Sequence, residues 1–192
     1  GYSLKEIKKK FVVTVAYDSR FDVKRFENKI KELTKELVDL MDIVSKISNV
    51  VIIFKLHPKR NSPKFKHILN QYDKNIWRVS KMHLSRLASL SNCFICSGAG
   101  GASYEALNFK VPLIQLPKID GVDRKHNSLE KLGLTNVSKD KNDLSRLIKL
   151  SKNKKNILWK TQQENFRLNY PNNKSSIKVL TIINKAQKLN KN

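Results

Sequence analysis

The chain has 192 residues, 40% of them hydrophobic. That is room for one domain with a real core and too little for two full-size ones. No apolar run approaches the roughly 18–20 residues that span a bilayer. The formal net charge of +23 points to an anionic partner: phosphates, an acidic membrane surface or nucleic acid. Lys outnumbers Arg 31 to 8 and is spread along the whole chain, as an AT-rich genome would leave it. No zinc-finger spacing or RNA-binding aromatic signature is present, so a specific nucleic-acid partner is not expected. The first residue is Gly1 rather than Met, as expected of a piece excised from a longer protein.

Residues 1–10 are polar and Lys-rich and read as a linker, which leaves 11–192 as one α/β domain. Phe11 to Tyr17 is a short run rich in β-branched residues, so a buried strand is predicted. Asp18 and Ser19 follow as helix N-cap candidates. From about 21 to 47, Phe26, Ile30, Leu33, Leu37, Leu40, Val44 and Ile47 recur at steps of four and three. This is one apolar helical stripe, suited to a sheet face, with a coiled coil as the alternative. Val50 to Leu56 is the second buried strand and ends at His57-Pro58. Pro63 opens a helix to about Gln71, and Ile76 to Val79 is a weaker strand. Residues 82–90 read as a short helix, in which His83, like His67 before it, is structural. Cys93 to Cys96 is a strand, followed by the glycine loop Ser97 to Gly101, a helix from Ala102 to Phe109 and a strand from Val111 to Leu116. Two or three helices close the chain from about residue 141, the last from about Ser175 to Leu189. Trp77 and Trp159 read as packing anchors.

Cys93 and Cys96 have the C-x-x-C spacing of redox or zinc sites. No second pair exists, and Phe94 and Ile95 interleave them, so they are expected to be buried thiols. Nothing implies disulfides, which fits a reducing cytoplasm.

The alternation of strands and helices predicts a parallel sheet with helices on both faces, a Rossmann-like α/β fold. In such sheets ligands bind at the carboxyl ends of the strands, where both His57 and Ser97–Gly101 fall. A strand, glycines and a helix start form a phosphate-binding arrangement. Glycine lets the backbone approach the anion, and the helix N-terminus offers free N–H groups and a positive dipole. Ser97 and Ser103 are candidate hydroxyl donors. Glu105, one turn into the helix, is suited to accept two hydrogen bonds from ribose hydroxyls. The loop matches neither G-x-G-x-x-G with its acidic partner nor the P-loop, and on residues alone a tight turn remains the alternative.

Ser97-Gly98-Ala99-Gly100-Gly101-Ala102-Ser103-Tyr104-Glu105-Ala106-Leu107 followed by Val111-Pro112-Leu113-Ile114 resembles the donor-site signature of B-fold (GT-B) glycosyltransferases. MurG-like N-acetylglucosaminyltransferases and UDP-N-acetylglucosamine 2-epimerases share this layout, with a ribose-binding Glu and a later Pro. The spacing from Glu105 to Pro112 matches both groups. The doublet Gly100-Gly101 is closer to the epimerases, and from Gly98 the Glu comes one residue later than in MurG-like enzymes. The similar order of elements runs from Phe11 to about Leu150. The resemblance implies a nucleotide-sugar-binding domain, the C-terminal half of a two-domain enzyme.

Lys55-Leu56-His57-Pro58 resembles the K-x-H-P element of capsule-type transferases that use CMP-sugars or CDP-glycerol. The resemblance gives His57 the donor phosphate. An imidazole or imidazolium there would stabilise charge growing on the departing nucleotide. A surface His in a Pro turn is the alternative. Asp123-Arg124-Lys125-His126-Asn127 resembles the loop where MurG-like enzymes hold the donor sugar, although Asn127 to Gly133 is shorter than in that family. Asn127 is then a sugar contact and Arg124 a diphosphate partner; a polar loop with a helix cap is equally compatible.

The expectation is a metal-independent glycosyltransferase of surface polysaccharide or glycolipid synthesis, taking a UDP- or CMP/CDP-linked sugar. Neither a cofactor nor a metal site is expected, and no D-x-D occurs. The acceptor base would belong to a missing N-terminal domain or partner subunit. A UDP-sugar 2-epimerase or nucleotide-sugar hydrolase is the alternative on the same fold. A basic membrane- or nucleic-acid-binding module is the alternative of another class. The expected location is the cytoplasm, with peripheral contact to the anionic inner face of the membrane.

Overall fold

The structure, a computed structural model, describes residues 4–7, 9–17, 24–56, 63–98, 100–117 and 127–170. Six strands pair in parallel: β1 (Phe11–Tyr17), β2 (Val50–Leu56), β3 (Trp77–Val79), β4 (Cys93–Cys96), β5 (Leu113–Gln115) and β6 (Asn136–Val137). Their spatial order is β3-β2-β1-β4-β5-β6. The helices are α1 (Leu4–Ile7), α2 (Ile30–Ser45), α3 (Pro63–Leu69), α4 (Leu84–Leu90), α5 (Gly101–Asn108), α6 (Asn127–Lys131), α7 (Lys141–Leu150) and α8 (Ile157–Asn169).

Strand parity sorts the core onto two faces. Val13, Val15 and Tyr17 of β1, with Ile52, Phe54, Cys93, Ile95 and Ile114, pack against α2, α3 and α7. Phe94, Cys96 and Leu113 pack against Ala88, Ala106, Leu107 and Leu129, and Val12, Val51 and Ile53 against Leu87. Both faces are therefore covered, which is why these strands read as continuous apolar runs. The α2 stripe packs on the sheet through Leu33, Leu37, Leu40, Met41 and Val44. The turn before it, Lys24–Lys29, is a 3-10 helix, so the α-helix begins later than the stripe suggests. The Phe26 side chain lies outside the described residues, as do Asp18, Ser19 and the expected helix at 175–189.

Three other boundaries moved. The segment read as a linker contains α1, whose Ile7 packs on Val12, Val51 and Leu87. His83 is not inside a helix: it is the N-cap of α4, its ring accepting from the Ser85 N–H. A sixth strand, β6, has only two half-buried residues, Asn136 and Val137, too few and too polar for a periodic signal. Cys93 and Cys96 are both buried, and neither forms a disulfide. Their odd spacing sends them to opposite faces of the sheet, one in each core cluster. Burial pushes the Cys93 thiol up to about 12, which makes it a poor nucleophile or metal ligand.

Because β6 is so short, Leu113 has no strand partner on that side. Gln162 of α8, itself buried, replaces one: its Oε1 accepts from the Leu113 N–H at 3.0 Å and its Nε2 donates to the Leu113 carbonyl at 2.9 Å. Gln162→Ala strands both backbone groups and is expected to cost about 1–2 kcal/mol, read as a lower urea midpoint at unchanged slope. An unchanged midpoint would mean that water replaces the amide without loss.

Helices α2 and α7 are joined by Lys141, whose Nζ lies 2.7 Å from Asp39 and 3.1 Å from Asp42. The Tyr72 hydroxyl donates to Asp42 at 2.8 Å. That bond, followed by Lys141, holds the Asp42 carboxyl below its ordinary value against the opposing effect of burial. A group depressed on folding stabilises fully above its unfolded pKa, and the contribution is lost as pH falls through the folded value. The unfolding midpoint should therefore stay level down to about pH 4 and then fall, with Asp42→Asn flattening that acid limb. Solvent screening keeps the effect under about 1 kcal/mol. An identical acid limb in Asp42→Asn would remove Asp42 from the account.

Candidate functional site

The connections of a doubly wound sheet leave in opposite directions from its centre, and a crevice opens there outside the carboxyl ends of the strands. Here the central pair is β1 and β4, in register from Val13↔Cys93 to Ala16↔Cys96. The glycine loop follows β4 directly, so it stands at this switch point. The Ser97 N–H donates to the Ala16 carbonyl at 3.4 Å, and Ser97 is buried.

Gly100 is the N-cap of α5, in extended backbone with φ −178°, a conformation open to any residue. A Cβ placed on Gly100 or Gly101 would meet nothing within 4 Å. The fold itself therefore does not require glycine at either position. What the missing side chains leave is open space before the start of a helix. In that space the N–H groups of Gly101 and Ala102 make no hydrogen bond among the described residues. Free N–H groups and the positive end of the helix dipole form an anion cradle. Gly133 makes the contrast: its φ is +64°, and a Cβ there would run into the Asn165 side chain, so its glycine serves the fold.

Glu105 sits four residues after Gly101 on the same stripe of α5. Its Cα–Cβ bond tilts toward the helix N-terminus, which puts the cradle within the reach of the side chain. The two positions are roughly 6 Å apart along the axis, about the step from a phosphate to the hydroxyls of its ribose. Glu105 is half-buried, and its carboxylate has no hydrogen bond or ion pair among the described residues.

Ser103, the other candidate hydroxyl donor, is completely buried, and its Oγ donates to the Gly98 carbonyl at 3.3 Å. That bond braces the glycine loop, and no sequence signal marks it, because Ser103 and its small neighbours in α5 give no clear buried face.

Strand β2, next to β1, ends at Leu56 opposite Tyr17, so its carboxyl end lies one strand from the switch point. His57 and Pro58 follow it and lie outside the described residues, as do Ala99, Asp123 and Arg124. Asn127 begins α6, but its side chain is also outside them. Lys55, unremarked in the sequence beyond its place in K-x-H-P, donates from Nζ to the Lys81 carbonyl at 3.2 Å. It ties the end of β2 to the turn after β3. No sequence signal marks that partner, since 26 residues separate the two.

A second concavity, of about 400 Å³, lies between α2 and α7 beside Leu116 and Pro117. Glu32, Glu36, Asp39 and Asp140 outnumber Lys35 and Lys141 in its wall, the wrong sign for a phosphate. Among the described residues no group of three or more His, Cys, Asp or Glu is placed to hold a metal ion, and no helix is long and apolar enough to cross a membrane.

No family model and no curated protein sequence matches the chain. Solved structures do. The UDP-bound MnaA of S. aureus is 16% identical with a TM-score of 0.55, over 85% of this chain and 43% of its own. A UDP-N-acetylglucosamine 2-epimerase is 14% identical with a TM-score of 0.57, over 85% of this chain and 41% of its own. The spinosyn rhamnosyltransferase SpnG complexed with thymidine diphosphate is 12% identical with a TM-score of 0.56, over 83% and 42%. The chain spans about two fifths of the length of these proteins. It has the Rossmann-like α/β fold of one half of a GT-B protein.

Proposed function

We propose that the chain is the donor-binding domain of a glycosyltransferase that takes a UDP-, CMP- or CDP-linked sugar in surface polysaccharide or glycolipid synthesis. The observation that carries this reading is the open start of α5 at the switch point, with Glu105 one turn below it. In this role the Gly101 and Ala102 N–H groups hold the donor phosphate, and Glu105 accepts from the ribose hydroxyls. Arg124 and Asn127 follow β5 in sequence and are assigned to the diphosphate and the sugar. The bond from the sugar's anomeric carbon to the phosphate oxygen breaks, and the electron pair leaves with the nucleotide. His57 and the helix start meet that charge, so the transfer is assigned no metal. The acceptor oxygen forms the new bond to the anomeric carbon. Its proton goes to a base on a second domain across the cleft, in the same chain or in a partner subunit.

The reading makes the 192-residue chain incomplete. It should bind nucleotide weakly, having half a cleft, and show neither transfer nor sustained donor hydrolysis. Adding the acceptor domain should restore transfer. Robust turnover by the purified chain alone would overturn the assignment.

A UDP-sugar 2-epimerase or hydrolase is the second reading. The Gly100-Gly101 doublet before Glu105 and the likeness to UDP-N-acetylglucosamine 2-epimerases favour it. Incubation of the full-length protein with donor alone separates the two. An epimerase or hydrolase consumes the donor without an acceptor, and a transferase leaves it unchanged.

A further inference from the structure

Parallel strands share one amino edge, opposite the glycine loop, and lysines gather along it. Lys9 precedes β1, Lys46 lies in the turn into β2, Lys74 in the turn into β3 and Lys110 in the turn into β5. The α7–α8 turn adds Lys152, Lys154 and Lys155. Contacts join three of these turns, those before β1 and β2 and the one between α7 and α8. The Phe11 N–H donates to the Asn49 carbonyl at 2.8 Å, and Asn49 Nδ2 donates to the Lys9 carbonyl at 2.8 Å. Lys152 Nζ lies 5.6 Å from the centroid of the Phe11 ring. All seven lysines are exposed, and none is in an ion pair among the described residues. Of the described carboxylates, Glu6 and Asp73 are the ones in the segments that enter strands here. The other acidic side chains gather mainly along α2 and at the start of α7; of these, Asp42 near the end of α2 feels the charge of Lys46.

Two residues after Lys155, Ile157 stands 74% exposed at the first position of α8. An apolar side chain among lysines suits a surface with charge outside and hydrocarbon just beneath, and adds nothing to a phosphodiester contact. We propose that this amino-edge rim is a peripheral docking face for an anionic phospholipid surface. The lysines meet the headgroups and Ile157 enters the headgroup–acyl boundary. The seven-residue strands β1 and β2 set the glycine loop roughly 23 Å from that face, so docking leaves the crevice open. The inference does not depend on which nucleotide or reaction the crevice serves.

Co-sedimentation of the full chain with vesicles tests it. Binding is expected to vesicles of phosphatidylcholine containing a third of phosphatidylglycerol, not to phosphatidylcholine alone, and to fall with salt. Each lysine near such a surface is worth about fivefold in partition. Lys152→Glu/Lys154→Glu/Lys155→Glu should therefore lower binding by about a hundredfold or more. The control Lys31→Glu/Lys64→Glu/Lys66→Glu, with the same net charge on α2 and α3, should lower it less than about fivefold. Ile157→Ser should cost about tenfold with no change of charge, which keeps the test open should charge reversal disturb folding. Absence of binding to anionic vesicles would overturn the proposal, and so would equal losses in the two triple variants. A structured RNA bound more tightly than the vesicles, with Ile157→Ser without effect on either, would assign the rim to nucleic acid instead.

Discussion

In the transfer proposed above, replacing His57 by alanine in the full-length protein is expected to lower turnover by about a hundred- to a thousandfold, the usual loss for one group that meets developing charge. Donor affinity should change far less. The charge on the leaving nucleotide phosphate grows as the sugar–oxygen bond breaks, so a group placed against it acts mainly in the transition state. His57 is assigned by its position in the chain. It is the residue after Leu56, whose partner Tyr17 ends the central strand β1. Steady-state kinetics with a matched donor titration separates the two effects. Near-normal turnover in His57→Ala would make it a turn residue only.

The second large effect is expected at Glu105. Glu105→Ala should weaken UDP, CDP or CMP binding by about 1–3 kcal/mol, roughly 5- to 150-fold, the cost of losing charge-assisted hydrogen bonds to ribose. Folding should be unaffected, because the carboxylate supports no bond among the described residues. Its one-turn distance from the open glycines suits a group that serves a ligand. Calorimetry giving equal affinities for variant and parent would leave the cradle without its ribose end.

Much of the fold was legible because β1, β2 and β4 are buried on both faces and read as unbroken apolar runs. The same logic failed for β6, where Asn136 and Val137 are half-buried, and its place was taken up by Gln162, a contact 49 residues away in the chain. The order of the strands was not legible, since periodicity reports faces and not neighbours. The switch point, and with it the privileged position of the glycine loop, emerges only from the pairing of β1 with β4. The loop itself was legible as strand, glycines and helix. What the sequence could not separate were its parts: Gly100 and Gly101 border open space, whereas Ser103 is turned inward onto Gly98. The opposite faces of Cys93 and Cys96 follow from their odd spacing alone.

The central claim is that the start of α5 holds a nucleotide's phosphate. Amide NMR of the chain during titration with UDP, CDP and CMP tests it most directly. The account predicts that the Gly101 and Ala102 resonances move first and furthest with at least one of these nucleotides, with smaller shifts around Glu105. Saturating shifts confined to other parts of the sheet, or none with any of the three nucleotides, would contradict it.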